Sequence, residues 1–150
     1  MGTKKSIGTA FETAMVKLLT DAGFTTCRRI VLHGSNDEAD LHLGTVNDPE
    51  IVIECKSRKA EIAYKGIEDF VQEAHREYCN AKHTDVVNPF CALVALKRYN
   101  LGPQDGYLIW KNSYDITIRA RIADVINKEN FSNCQTEEER IKKLIDMLST

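Results

Sequence analysis

No apolar run in this 150-residue chain approaches the roughly 20 residues that a membrane-spanning helix needs. A secretory leader is missing as well: MGTKKSIGTAFE has positive charge but neither a long apolar stretch nor a small-residue cleavage site. Cysteines do not come in an even set. The five, Cys27, Cys55, Cys79, Cys91 and Cys134, are scattered, which reads as reduced thiols of an intracellular, cytoplasmic protein and not as a disulfide framework. Internal repeats, low-complexity tracts and linkers are absent too. What is present, 43% hydrophobic and 28% charged residues, is the composition of one soluble globular domain over residues 1–150.

A large charge of either sign is also lacking. The net charge of −2 exerts no global pull toward nucleic acid. The positive residues are nonetheless grouped, in Lys4–Lys5, Arg28–Arg29, the KSRK run from Lys56 to Lys59, and Lys97–Arg98. Acidic residues gather in TEEER near the C-terminus. One surface could therefore meet a polyanion while the total stays slightly negative.

Apolar residues at helical spacing (Phe11, Ala14, Met15, Leu18, Leu19, Ala22) predict a first helix over Thr9–Ala22 with Gly23 as its stop. Strands follow over Phe24–Leu32, Ala39–Leu43 and Ile51–Lys56, the last two joined antiparallel by the turn residues of GTVNDPE. Ile62–Lys82 carries a stripe of Ile67, Phe70, Val71, Ala74 and Tyr78 and reads as a second helix. The run Phe90–Leu96 suits a buried central strand, and Tyr107–Trp110 another. Ile116–Ile126 mixes alternation (ITIRA) with a helical pattern (IADVI). Residues 136–148 close the chain as an amphipathic helix, either core or dimer contact. The result is an α/β fold: a central mixed sheet with an antiparallel meander, flanked by helices.

Strand side chains alternate faces. Val52, Glu54 and Lys56 therefore share one side, and Ile51, Ile53 and Cys55 the other. On the preceding strand Asp40 and His42 share a face opposite Ala39, Leu41 and Leu43. Packing the apolar sets together gathers Asp40, Glu54 and Lys56 on one side of the sheet. Two close carboxylates repel unless a cation lies between them, and oxygen ligands of this kind suit Mg²⁺, with Mn²⁺ a substitute. An ammonium beside such an ion can act on a water or stabilise charge developing on a phosphate. An ordinary same-face Glu–Lys pair explains E-x-K alone. The aspartate on the neighbouring strand is what points to a site.

D-x13-E-x-K across a meander, behind a helix carrying a glutamate, resembles the PD-(D/E)XK nuclease superfamily. GTAFETAMVKLLTDAGF, RRIVLHGSNDEADLHL and IVIECKSRK look like the archaeal-type Holliday junction resolvases, over about Lys4–Lys82. The resemblance implies a restriction-endonuclease-like single domain with a catalytic core of about residues 4–110. It implies metal ligation by Asp40 and Glu54 with the Cys55 carbonyl, and a water-orienting or charge-stabilising Lys56. Glu12 would reach the metal from the first helix, and Ser35 would lie near the scissile phosphate on a loop. Lys4, Lys5, Arg58 and Lys59 would follow the DNA backbone. The implied activity is cleavage of DNA, four-way junctions foremost, in recombination and repair, by a homodimer that makes paired incisions. Ala39 stands where the superfamily name carries proline.

Other readings compete. Thr9 and Glu12 fit a capping box, which would make Glu12 a helix-start residue. His42 could touch the site or serve a local network. Cys79 and His83 have a C-x3-H spacing without a second ligand pair, which argues against zinc. Gln72, His75 and Arg76 form either a wall of a DNA groove or a solvated helix face, and Tyr107 and Trp110 read as core or interface. Two other functions compete with the resolvase: a restriction- or repair-type endonuclease on duplex or single strands, and a non-cleaving module for branched DNA. Clustered acids repel DNA unless metal neutralises them, which argues against the binding module.

Overall fold

The computed structural model describes residues 4–31, 37–60, 62 and 64–150, with backbone alone for residues 4–6. Helix α1 runs Lys4–Asp21, so it starts well before Thr9. Thr9 is then an interior helical residue, and the capping-box reading of Glu12 falls. The spacing of Phe11, Met15 and Leu19 lays these side chains on one fully buried stripe. The helix ends in a glycine stop: Gly23 N–H donates to Thr20 O at 3.0 Å and Phe24 N–H to Leu19 O at 2.9 Å. Gly23 has φ +108°, which strains any residue with a side chain, and a Cβ there would lie 2.4 Å from Arg140 Nε and push that side chain aside.

The strand expected over Phe24–Leu32 shrinks to β1, Arg28–Arg29. The chain first has to turn out of the helix, with Cys27 N–H donating to Phe24 O at 3.2 Å. Strands β2 (Leu41–Thr45) and β3 (Asp48–Arg58) pair antiparallel, with Leu41 opposite Ile53. The turn between them is tighter than GTVNDPE suggested, because Asn47 takes a positive φ of 69°.

Helix α2 (Tyr64–Lys82) crosses over the sheet and returns the chain into β4 (Ala92–Arg98), parallel to β3, with Glu54 beside Val94 and Lys56 beside Leu96. Strand β4 lies between β3 and β5 (Tyr107–Lys111), which is the central place its apolar run anticipates. The ambiguous Ile116–Ile126 segment is both things in turn: strand β6 (Thr117–Arg121), then a short helix α3 (Ile122–Val125). Helix α4 (Glu137–Leu148) ends the chain, its start capped by Thr136 Oγ1 accepting from Glu139 N–H at 3.1 Å.

The six-stranded mixed sheet, ordered β1-β2-β3-β4-β5-β6, is covered on both faces. On one face α1 and α4 pack Phe11, Met15, Leu19, Leu144 and Leu148 against Leu41, Ile53 and Leu93. Phe24 and Phe131 meet there edge-to-face at 4.9 Å. Each such fully buried ring contributes on the order of 2–3 kcal/mol. On the other face Val71 and Ala74 of α2 cover Val94 and Ile109. Trp110 is core, donating its indole N–H to Leu148 O at 3.0 Å, while Tyr107 is exposed and lies under the Arg119 guanidinium at 4.6 Å. The face turned toward α2 is where the apolar pattern of β3 breaks.

Candidate metal and nucleic-acid site

Asp40 enters the sheet at the point where the β2–β3 ladder stops. Its N–H donates to Ile53 O at 3.2 Å, and its side-chain Oδ2 accepts from Cys55 N–H at 2.8 Å. A carboxylate thus takes over where the backbone partner ends. Ala39 just before it has φ +75°, a left-handed conformation that proline, locked near −65°, cannot adopt. The departure from the proline of the superfamily name therefore has a backbone cause. Ala39 N–H also donates to Asp37 Oδ1 at 3.2 Å. Ala39→Pro is expected to destabilise the fold by at least about 3 kcal/mol in urea unfolding, and Ala39→Gly by none or to stabilise it slightly.

Glu54 and Lys56 project from β3 toward α2. Lys56 Nζ lies 3.3 Å from Glu54 Oε2 and 2.7 Å from Glu73 Oε2. Its ammonium also stands 5.2 Å from the centre of the Phe70 ring. Burial pulls the Lys56 pKa down, but hydrogen bonds and the charges of Glu73 and Glu54 outweigh it and hold the amine above its ordinary value. Glu54 is only 4% exposed. Burial first, then the hydrogen bond and charge of Asp40, then the charge of Glu77, push its carboxyl far up. Its Oε1 has no hydrogen-bond partner.

Two acids escaped the sequence reading. Glu73 and Glu77 lie one turn apart on α2, flanking the apolar stripe, and face the sheet acids. One oxygen from each of Glu54, Glu73 and Glu77 falls within 4.8 Å of the others. Glu77 is 1% exposed and its Oε2 is also without a partner. Burial, then the charge of Asp37, raises its carboxyl. The signal available in sequence was E-x3-E on the edge of a helical stripe, which reads equally well as a solvated border.

Glu12 approaches from the opposite face of the sheet. It is raised by burial and then by the charge of Asp40, and Arg29 Nε pairs with its Oε1 at 3.3 Å. Cys55 presents its backbone at the same place. His42 is 3% exposed, with Nε2 2.6 Å from Glu38 O, so it anchors the chain entering β2. Gln72 and Arg76 are exposed on α2. Ser35 lies outside the described residues, and so do the side chains of Lys4 and Lys5.

Arg58 stacks 5.0 Å from the Phe70 centroid, on the same ring that Lys56 approaches, and Lys59 beyond it is exposed. Arg58 also lines a cavity of about 270 Å³ together with Lys97, Arg98, Asp105, Tyr107 and Arg119. The acids around Lys56 suit a cation, and the arginines and lysine of the cavity suit a phosphate chain.

A family model described as restriction endonuclease (Mrr_cat) matches residues 3–87, more than half of the chain. The chain belongs to the restriction endonuclease family. The match runs from α1 to just past α2 and takes in Glu12, Asp40, Glu54, Lys56, Glu73 and Glu77. No curated protein and no solved structure matches the chain. Membership in this family, within the PD-(D/E)XK superfamily, makes the chain a nuclease of restriction-endonuclease type that hydrolyses phosphodiester bonds and uses a divalent metal. The mixed sheet flanked by helices is the fold that goes with it. Among the described residues no helix is long and apolar enough to cross a membrane.

Proposed function

We propose that this restriction-endonuclease-family chain cuts branched DNA, four-way junctions foremost, with Asp40, Glu54 and Lys56 as its catalytic centre. The observation behind the catalytic assignment is the convergence of a ladder-capping carboxylate, a buried carboxylate and an ammonium at one end of the β2–β3 pair. The donor set fits a hard divalent ion. It is built of carboxylate oxygens, and the buried Glu54 Oε1 lacks a partner.

Asp40 and Glu54, with the Cys55 carbonyl, are the residues that would hold Mg²⁺ or Mn²⁺, and Glu12 stands close enough in charge to join them. The bound ion supplies positive charge opposite the scissile phosphate and makes water a better nucleophile at neutral pH. The rest falls to the chain. Lys56, held as an ammonium, hydrogen-bonds the attacking water or the phosphate oxygen on which charge accumulates. Phe70 fixes the height of that ammonium. Arg58, Lys59 and Arg119 meet flanking phosphates, with Lys4 and Lys5 on the same duty at the start of α1. Ser35, five residues ahead of Asp40 in sequence, is assigned to the scissile phosphate on the resemblance alone.

Junction preference is supported by the sequence resemblance over Lys4–Lys82 and by the arginines and lysines near the site, whose chemistry suits phosphate contacts. Two incisions on opposite strands require two copies related by a two-fold axis, so the active form is a homodimer. A second reading, cleavage of linear duplex, is favoured by the family match itself, which is to restriction endonucleases. One assay separates them. With Mg²⁺, a synthetic four-way junction is expected to be cut at least tenfold faster than the linear duplex of the same arms. Equal rates, or faster duplex cutting, would hand the assignment to the restriction-type reading.

A further inference from the structure

We propose that Glu54, Glu73 and Glu77 form a second divalent-cation site on the α2 side of the sheet, sharing Glu54 with the Asp40 site. The inference rests on the reading of Glu54 as a metal ligand and adds two ligands from a different element.

Three observations converge. The first is distance: an oxygen from each acid lies within 4.8 Å of the others, near enough to face one Mg²⁺ or Mn²⁺ ion. The second is burial without partners. Glu77 is 1% exposed and Glu54 4% exposed, and Glu77 Oε2 and Glu54 Oε1 both lack a hydrogen-bond donor. A buried carboxylate oxygen left in that condition calls for a cation or a proton. The third is the reach of the resident cation. Lys56 Nζ pairs with Glu54 and Glu73, and among the described residues no cation pairs with Glu77.

The ammonium of Lys56 therefore stands where an ion bridging Glu54 and Glu73 would be. Charge favours the exchange. Asp40, Glu54, Glu73 and Glu77 gather around one ammonium, and a divalent ion offsets more of their repulsion than Lys56 alone. Binding would release Lys56 from Glu73 and turn its Nζ toward the substrate, so the second ion would also set the position of the amine. The competing account is that the cluster holds a shared proton in place of an ion.

Mn²⁺ titration at pH 7.5, followed by calorimetry and by the electron spin resonance of bound Mn²⁺, separates the two accounts without measuring cleavage. Wild type is expected to bind two ions per chain, with the broadened spectrum of neighbouring Mn²⁺ centres. Glu77→Gln is expected to bind one with an unbroadened spectrum, or to hold the second at least tenfold more weakly. Glu73→Gln, at a more accessible position, serves the same purpose should the buried substitution fail to fold. One ion or none in wild type, or two undisturbed ions in both variants, overturns the second site. Junction cleavage by a wild type that holds a single ion removes the second site and leaves the nuclease reading intact. Two ions that Glu77→Gln reduces to one, in a protein that cuts no DNA, uphold the second site and sink the nuclease reading.

Discussion

Asp40→Asn lowers the rate of DNA cleavage by about 10³-fold or more while the folded protein survives, if the ladder-end carboxylate holds the catalytic ion. The two halves of that result have separate causes. Asparagine keeps an oxygen at the position where Oδ2 accepts Cys55 N–H at 2.8 Å, so the β2–β3 ladder keeps its side-chain continuation. The negative charge is what disappears. Metal-free variant should melt no lower than wild type, because Asp40 contributes the repulsion that raises Glu54 and Glu12. Single-turnover cleavage of a labelled junction with Mg²⁺, set beside a thermal melt, gives both numbers. Cleavage within tenfold of wild type would take Asp40 out of the chemistry.

Lys56→Met is expected to affect rate and stability together. Loss of the ammonium should slow cleavage by about 10²–10⁴-fold, the range for a positioned proton-transfer or charge-stabilising group. It also strands Glu54 and Glu73, which the ammonium holds at 3.3 and 2.7 Å. In metal-free protein Glu54 answers the loss by holding its proton, so the cost is that of the hydrogen bonds lost from Glu54 and Glu73, about 1–3 kcal/mol. The pH dependence has a definite sign. Glu54 is already raised above 4.5 by burial, then by Asp40 and Glu77, and Lys56 is the cause that pulls it down. Removing Lys56 raises the folded pKa further, so the variant binds its proton more tightly when folded. Its stability is therefore complete below pH 4.5 and declines with the same one-proton slope as wild type, over a window that reaches to higher pH. Urea titrations of metal-free variant at pH 4.5 and 8 test this, and a variant as stable at pH 8 as at pH 4.5 would rule it out.

The parts of the molecule that repeat on a simple period were legible from residues. The stripe Phe11–Met15–Leu19 gave α1, and the alternation in IVIEC put Glu54 and Lys56 on one face, which is where they stand. The antiparallel pairing of β2 with β3 and the central place of β4 followed from turn chemistry and from an unbroken apolar run. What failed depended on distant partners. Arg28 and Arg29 look like part of a long strand, but the chain around them is spent on leaving α1 and on side-chain bonds from Arg28 to Gly44 O and Thr45 O. Thr9 resembled a helix start because nothing local reveals that the backbone is already helical at Lys4. Glu73 and Glu77 stayed hidden because a polar residue bordering an apolar stripe reads the same whether it meets water or a second set of acids. Only the crossover decides which.

That crossover has a consequence for how the molecule comes into being. β3 and β4 are joined through α2 laid across the sheet, so closing the parallel pair and bringing Asp40 and Glu54 against Glu73 and Glu77 belong to one nonlocal step. The growing chain meets this knot of like charge only in the step that also gives it the parallel pair.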